Sequence, residues 1–234
     1  MAGTMVSGHP LVRAMVTRLR SASTEPAAFR GLVARLTGLL VHEALADVAV
    51  VEAEVRTPLA PAPGVALAAP LVFVPILRAG LGMADGALAV WPEAEVRHLG
   101  LYRDEATLTP VVYYDRASSH PLADATVVIL DPMLATGGSA AAAVDVLRQR
   151  GGARDIRFVG LIGAPEGVAA LSAAHPAVPI TLAALDTRLT GPGDPWPPGY
   201  ILPGLGDAGD RQFATDAPAT GDAPPPTAIH IPPP

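Results

Sequence analysis

At 234 residues the chain is long enough for one α/β domain with a sizeable core and too short to need two. It contains no Cys, which excludes disulfides, thiolate nucleophiles and Cys-based zinc sites, and its net charge of −6 with dispersed arginines leaves no nucleic-acid footprint. There is also no Lys, so all 16 fixed side-chain cations are Arg, and an anionic ligand must be met by guanidinium forks and backbone amides; a skewed base composition would produce the same bias without functional meaning.

In chain order, Leu11 to Leu19 and then Phe29, Leu32, Val33, Leu36, Leu39 and Leu40 recur at helical spacing, so the chain is expected to open with two amphipathic helices, within about 10–48, rather than a strand. Ala49 to Val55 suits a strand, and Thr57 to Ala69 reads as a Pro-rich connection. Leu71 to Val74 is a buried strand followed by the turn Pro75-Ile76-Leu77-Arg78-Ala79-Gly80 and a helix from Met83 to Val90. A strand over Val96 to Tyr102 and the alternating stretch Leu108 to Tyr114 suggest an extended hairpin or flap. Strand 127–130, helix 139–149, strand 156–162, helix 166–173 and strand 179–185 complete an alternation that predicts a mainly parallel sheet flanked by helices.

Beyond Asp186 the pattern fails, and Thr187 to Asp210 reads as a long Gly- and Pro-dense functional loop. A single domain over 1–213 is expected, with 214–234 a disordered Pro-rich tail unable to build a core. No apolar stretch reaches membrane-spanning length free of Gly, Pro and charge, and Met1 to Pro10 lacks the charged and apolar regions of a signal peptide. The expectation is therefore a cytoplasmic protein with neither membrane nor nucleic acid as partner.

The chemistry centres on Val127-Val128-Ile129-Leu130-Asp131-Pro132-Met133-Leu134-Ala135-Thr136-Gly137-Gly138-Ser139. A buried strand ends in an acid, and an Ala-rich helix begins after a small, hydroxyl-bearing turn. Thr136 to Ser139 thus lie where helix N-terminal amides have no intrahelical acceptor, a setting that favours a phosphate. The glycines let the backbone close round phosphate oxygens, and Asp131 at the carboxyl end of its strand can accept from sugar hydroxyls. No Lys follows the glycines, so this is not a Walker A loop, and the glycine spacing is not that of a dinucleotide fingerprint. The same residues would also serve as an ordinary helix N-cap turn.

Asp131 to Ser139 resembles the phosphoribosyl-diphosphate (PRPP) loop of type I phosphoribosyltransferases, and its wording is closest to the uracil phosphoribosyltransferase branch. Three further segments match that branch in the same order: Pro75 to Met83, Gly100 to Leu108, and Gly199-Tyr200-Ile201-Leu202-Pro203-Gly204-Leu205-Gly206-Asp207-Ala208-Gly209-Asp210-Arg211. Ala164-Pro165-Glu166-Gly167 and His42-Glu43-Ala44 extend the likeness to roughly residues 9–213.

The resemblance implies an α/β fold of the type I phosphoribosyltransferase kind, with a flap hairpin and a C-terminal base-binding loop. It implies transfer of the phosphoribosyl group of PRPP to uracil, giving UMP and diphosphate. By that carry-over PRPP meets Arg78, Arg103, Asp131, Pro132, Met133, Leu134, Ala135, Thr136, Gly137, Gly138, Ser139 and Asp207, with Asp131, Arg103 and Asp207 closest to the chemistry. Uracil meets Ile201, Gly206, Asp207 and Ala208. The turn before Arg78 is a place where relatives hold a cis non-Pro peptide. Mg²⁺ is expected as Mg-PRPP, without a dedicated protein metal site, and the family is commonly a homo-oligomer, with GTP an activator in some members.

Taken singly, Arg78 reads more readily as a solvated surface residue than as a ligand, and Arg103 as the partner of Asp104 or Glu105. A relative acting on another base would lack the C-terminal run, and an RNA-binding regulator would need a basic patch. Two departures stand out: Thr187 to Pro198 is longer than the family's usual link and adds Trp196, and the tail has no family counterpart.

Overall fold

The structure of the chain is a computed structural model that describes residues 3–103, 110–116 and 120–215. It begins with β1 (Thr4–Val6), α1 (Pro10–Arg20), α2 (Pro26–Ala44), β2 (Val50–Arg56) and β3 (Pro61–Leu67). The first half of the sheet follows as β4 (Leu71–Leu77), α3 (Leu81–Val90), β5 (Glu95–Val96), β6 (Leu99–Arg103) and β7 (Pro110–Asp115). The second half is β8 (Thr126–Leu130), β9 (Met133–Leu134), α4 (Gly138–Gln149), β10 (Asp155–Gly163), α5 (Pro165–Ala174) and β11 (Ile180–Leu185). Two short strands, β12 (Arg188–Leu189) and β13 (Ile201–Leu202), precede α6 (Ala208–Phe213).

Among the described residues nine strands form one sheet in the order β1-β11-β10-β8-β4-β6-β7, with β5 beside β4 and β9 beside β10. All pairings are parallel except β6 with β7. The central strands bury both faces, as their unbroken apolar runs require. Val127 and Ile129 join Val72, Val74 and Ile76 under α4, while Val128 and Leu130 join Phe73 under α1, α2 and α3. From β4 the chain turns to β6 on one side, and from β8 it turns to β10 on the other. The adjacent carboxyl ends of β4 and β8 are therefore the topological switch point, where open α/β sheets form a ligand crevice.

Three readings need correction. The chain opens with a strand, not a helix: Thr4 to Val6 add to the sheet edge by pairing with Ile180 to Leu182. Their side chains are exposed, so only main-chain pairing defines the strand and no apolar pattern announces it. The Pro-rich connection contains β3, antiparallel to β2. The bonds Thr57 N–H to Ala60 O and Ala68 N–H to Ala49 O set an alternation that places Pro61 and Pro63 at non-hydrogen-bonded pairs, where a missing N–H costs no ladder bond.

The segment after Asp186 is built rather than structureless. β12 and β13 pair antiparallel, and the longer link between them is an ordered loop. Arg188 donates to both oxygens of Asp194 at 2.7 and 2.8 Å, and Thr190 Oγ1 donates to Pro197 O at 2.7 Å and accepts from Tyr200 N–H at 2.8 Å. At the end of the described residues, Thr215 Oγ1 donates to Asp210 Oδ1 at 2.6 Å. The disordered-tail assignment from Asp216 onward, and the flap residues Asp104 to Thr109, lie outside the described residues.

Candidate active site

The phosphate loop leaves β8 at Asp131 and enters α4 through Gly137, which is its N-cap in the left-handed region at φ +79°. Such a conformation favours glycine, and space enforces the same choice: a Cβ there would lie 2.7 Å from Gly167 O. Gly167 in turn allows α5 to approach the loop, because a Cβ on it would lie 2.3 Å from Ala135 O and 2.5 Å from Leu134 O. The Ala164 to Gly167 motif is thus the floor of the loop. The first amides of α4, from Gly138 to Ala140, are left without intrahelical acceptors and point out of the helix at this crevice.

Asp131 Oδ1 accepts from Met133 N–H at 3.3 Å, and Asp131 N–H bonds to Val159 O at 3.2 Å. Burial pushes the Asp131 carboxyl up to about 7, with the Met133 N–H pulling the other way. Its pKa therefore sits where ionisation is set by what binds beside it.

On the other side of the switch point, the Leu77-Arg78 peptide is cis. Gly80 closes this turn against β8, where a Cβ would lie 2.5 Å from Leu130 O. Arg78 is more than half exposed and reaches Asp210 Oδ1 with Nη2 at 3.0 Å. The side chain of Arg103 is not among the described ones; its backbone ends β6, beside the Arg78 turn through the pairing of Leu77 with Gly100.

The C-terminal loop folds back to the same place. Leu202-Pro203 is cis, Gly204 and Gly206 have φ of +65° and +77°, and a Cβ on Gly204 would lie 2.1 Å from Ile201 O. Asp207 is the N-cap of α6, its Oδ1 accepting from Asp210 N–H at 2.9 Å. Ile201 and Ala208 are buried. A Cβ on Gly209 would lie 3.2 Å from Asp207 Oδ1 and 3.6 Å from Arg78 Nη2, which shows how closely this loop meets the Arg78 turn.

The family model described as uracil phosphoribosyltransferase matches residues 6–215. The chain belongs to the uracil phosphoribosyltransferase family. It is similar to the uracil phosphoribosyltransferase of Roseiflexus castenholzii, with 54% identity over 215 residues, covering 92% of this chain and 100% of that protein. The corresponding protein of Geobacillus kaustophilus is 47% identical over 216 residues, again covering 92% and 100%. The solved structure of the AQ2163 protein of Aquifex aeolicus superposes with a TM-score of 0.83 at 39% identity, covering 91% of this chain and 98% of that one.

Within this uracil phosphoribosyltransferase fold the structure brings together the Arg78 turn, the Asp131–Ser139 loop and the Gly206–Ala208 loop. It leaves His42, Glu43 and Ala44 out. Glu43 Oε1 accepts from Ser7 Oγ at 2.8 Å and Ala44 O accepts from Arg157 at 2.8 Å, so this motif ties α2 to the sheet. Glu166 accepts from Leu189 N–H at 3.1 Å and anchors the longer link.

Several residues that shape the site were not legible as such. Asp186, buried at the end of β11, takes both arms of Arg20, and its Oδ2 accepts from Gly204 N–H at 2.9 Å. Arg20 Nη1 also donates to Gly204 O at 2.8 Å, so the clasp holds the turn that precedes the base loop. Arg211 stacks over Phe29 at 4.4 Å and donates to Leu19 O and Leu205 O, both at 2.8 Å. The two N-terminal helices are thus the brace of the C-terminal loop. One signal for α6 was available: Asp207 followed three residues later by Asp210 is a helix-start pattern.

Proposed function

We propose that this chain transfers the 5-phosphoribosyl group of PRPP to uracil, forming UMP and diphosphate. The observation that carries this reading is the convergence at one switch point of a strand-to-helix loop with an acid at its start and helix N-terminal amides at its end, an Arg-bearing turn, and a C-terminal loop with two positive-φ glycines. In this reading, the amides and hydroxyls of Thr136 to Ser139 hold the 5′-phosphate, and Pro132 to Ala135 wall the ribose. Asp131 accepts from the ribose hydroxyls once ionised. Arg78 and Arg103 hold the diphosphate, and Asp207, whose Oδ1 is occupied as a cap, presents its other oxygen toward the ribose.

Uracil lies between Ile201 and the Gly206–Ala208 backbone, which matches its alternating N–H and C=O groups. Cytosine is rejected because its amine faces a donor or leaves an acceptor unpaired. The bond from uracil N1 to the anomeric carbon forms as the bond to diphosphate breaks, and the N1 proton leaves with diphosphate or water. The protein's contribution is orientation and stabilisation of the departing charge. Among the described residues no group of three His, Asp or Glu side chains converges, and Mg²⁺ is assigned to the substrate, chelated by the diphosphate.

The same reading includes the flap carrying Arg103 closing over bound PRPP, a homo-oligomeric enzyme, GTP as a candidate activator, and a cytoplasmic setting. Among the described residues, no helix is long and apolar enough to cross a membrane. The test is direct: purified protein should form UMP only with uracil, PRPP and Mg²⁺ together, with cytosine a very poor substrate. No UMP, or equal turnover of cytosine or a purine, refutes the reading.

A further inference from the structure

Gln212 is completely buried on α6, between the two segments assigned to different halves of the substrate pair. Its Nε2 donates to Ala79 O at 2.8 Å and to Ala208 O at 2.9 Å. Ala79 follows Arg78 in the diphosphate turn, and Ala208 follows Asp207 in the base loop. Its own backbone carbonyl accepts from Arg30 at 2.5 Å, which fixes the end of α6 on α2.

The other end of the amide tells against a role in packing alone. Gln212 Oε1 is buried without a hydrogen-bond partner, and a Cβ on Gly82 would lie 1.8 Å from it, so α3 leaves room for that oxygen and gives it nothing to bind. Leu or Met at such a position would remove the unpaired acceptor but would also take this donor from Ala79 O and Ala208 O, so what distinguishes Gln from an apolar residue of similar size is the pair of bonds and not the volume it fills. What the amide supplies is one neutral NH₂ group with two hydrogens, one for each segment. Lys or Arg would do this only by burying a charge.

We propose that Gln212 is a positioning residue that sets the register between the Arg78 turn and the Asp207–Ala208 loop, and so couples PRPP binding to uracil binding. A shift in either segment on ligand binding is transmitted to the other through the shared amide. The adjacent Arg78–Asp210 contact at 3.0 Å gives α6 a second tie to the same turn. The proposal rests on the assignment of these segments to PRPP and to uracil. Wild-type assays test that assignment first, since absence of UMP formation removes it before any variant is made.

The experiment compares wild type with Gln212→Leu, Gln212→Met and Gly82→Ala. The last leaves the amide intact but displaces it. Three quantities are read: melting temperature, the Kd for PRPP alone by calorimetry, and the KM for uracil at low and at saturating PRPP. Gln212→Leu and Gln212→Met should melt within a few degrees of the wild-type temperature, since removal of the unpaired Oε1 offsets part of the cost of the two lost bonds, and should bind PRPP alone within about twofold of wild type. Their uracil KM at saturating PRPP should rise about tenfold with kcat changed far less, the signature of lost binding rather than lost chemistry. Wild-type uracil KM should fall as PRPP rises, and in these variants that dependence should disappear. Gly82→Ala should reproduce the rise in uracil KM. An unchanged uracil KM with unchanged PRPP dependence overturns the proposal, as does failure of all three variants to fold, since the residue then acts on stability alone.

Discussion

Replacing Asp131 by Asn separates what this carboxyl does for folding from what it does for the ligand. The carboxyl is raised from 3.8 to about 7 by burial, so between those values the native state holds a proton that the unfolded chain has lost. Stability contributed by the protonated form is fully present below about pH 4 and is lost as pH rises through about 7. At 1.36 kcal/mol per unit the shift is worth about 4 kcal/mol, and solvent reaching this partly exposed group reduces the usable amount to about 2 kcal/mol. Asn has the same shape and no proton to lose. Asp131→Asn should therefore melt about 4–8 °C above wild type at pH 8.5, with the difference shrinking steadily toward pH 5. PRPP affinity should move the other way, because a charge-assisted hydrogen bond to a ribose hydroxyl is worth about 1.5–3 kcal/mol, or roughly 10- to 150-fold in Kd at pH 8. Thermal melts across pH 5 to 8.5, with calorimetry of Mg-PRPP binding to both proteins, measure the two effects. Parallel melting curves at every pH would refute the raised carboxyl, and an unchanged PRPP Kd would remove Asp131 from the site.

Gly167→Ala should push Ala135 and Leu134 out of place, since the new methyl would sit 2.3 Å from Ala135 O; we expect PRPP KM to rise at least about tenfold in steady-state assays, with the fold intact by circular dichroism. Arg103→Ala should leave the melting temperature unchanged and lower kcat/KM for PRPP by about 10²-fold, the loss of one strong transition-state charge contact; wild-type kinetics would make it a surface residue. Asp186→Asn should loosen the Arg20 clasp on Gly204, raising uracil KM more than PRPP KM and lowering the melting temperature by a few degrees. A chain ending at Thr215 should keep full activity and melt within about 2 °C of the intact protein, because the Pro-rich, small and polar composition of 216–234 is not one that builds a core. A larger drop would show that Ile229, His230 and Ile231 dock.

Local order along the chain was sufficient for the parts of this protein whose signal is local. The apolar runs 71–74, 127–130 and 156–162 announce strands buried on both faces, because a parallel sheet between helices needs no polar alternation. The Asp131 to Ser139 loop announces its strand–turn–helix geometry, because an acid after a strand and glycines before a helix are adjacent in sequence. The tertiary structure decided everything that depends on partners far apart. Thr4 to Val6 becomes a strand only because β11 offers a free edge, and Pro61 and Pro63 enter a strand only because the register turns their missing N–H groups away from the ladder. Asp186 acquires its role from an arginine 166 positions away, and Gln212 from a carbonyl 133 positions away. The raised pKa of Asp131 has the same origin: residue type sets its ordinary value, and only the packing around the end of β8 removes enough water to move it.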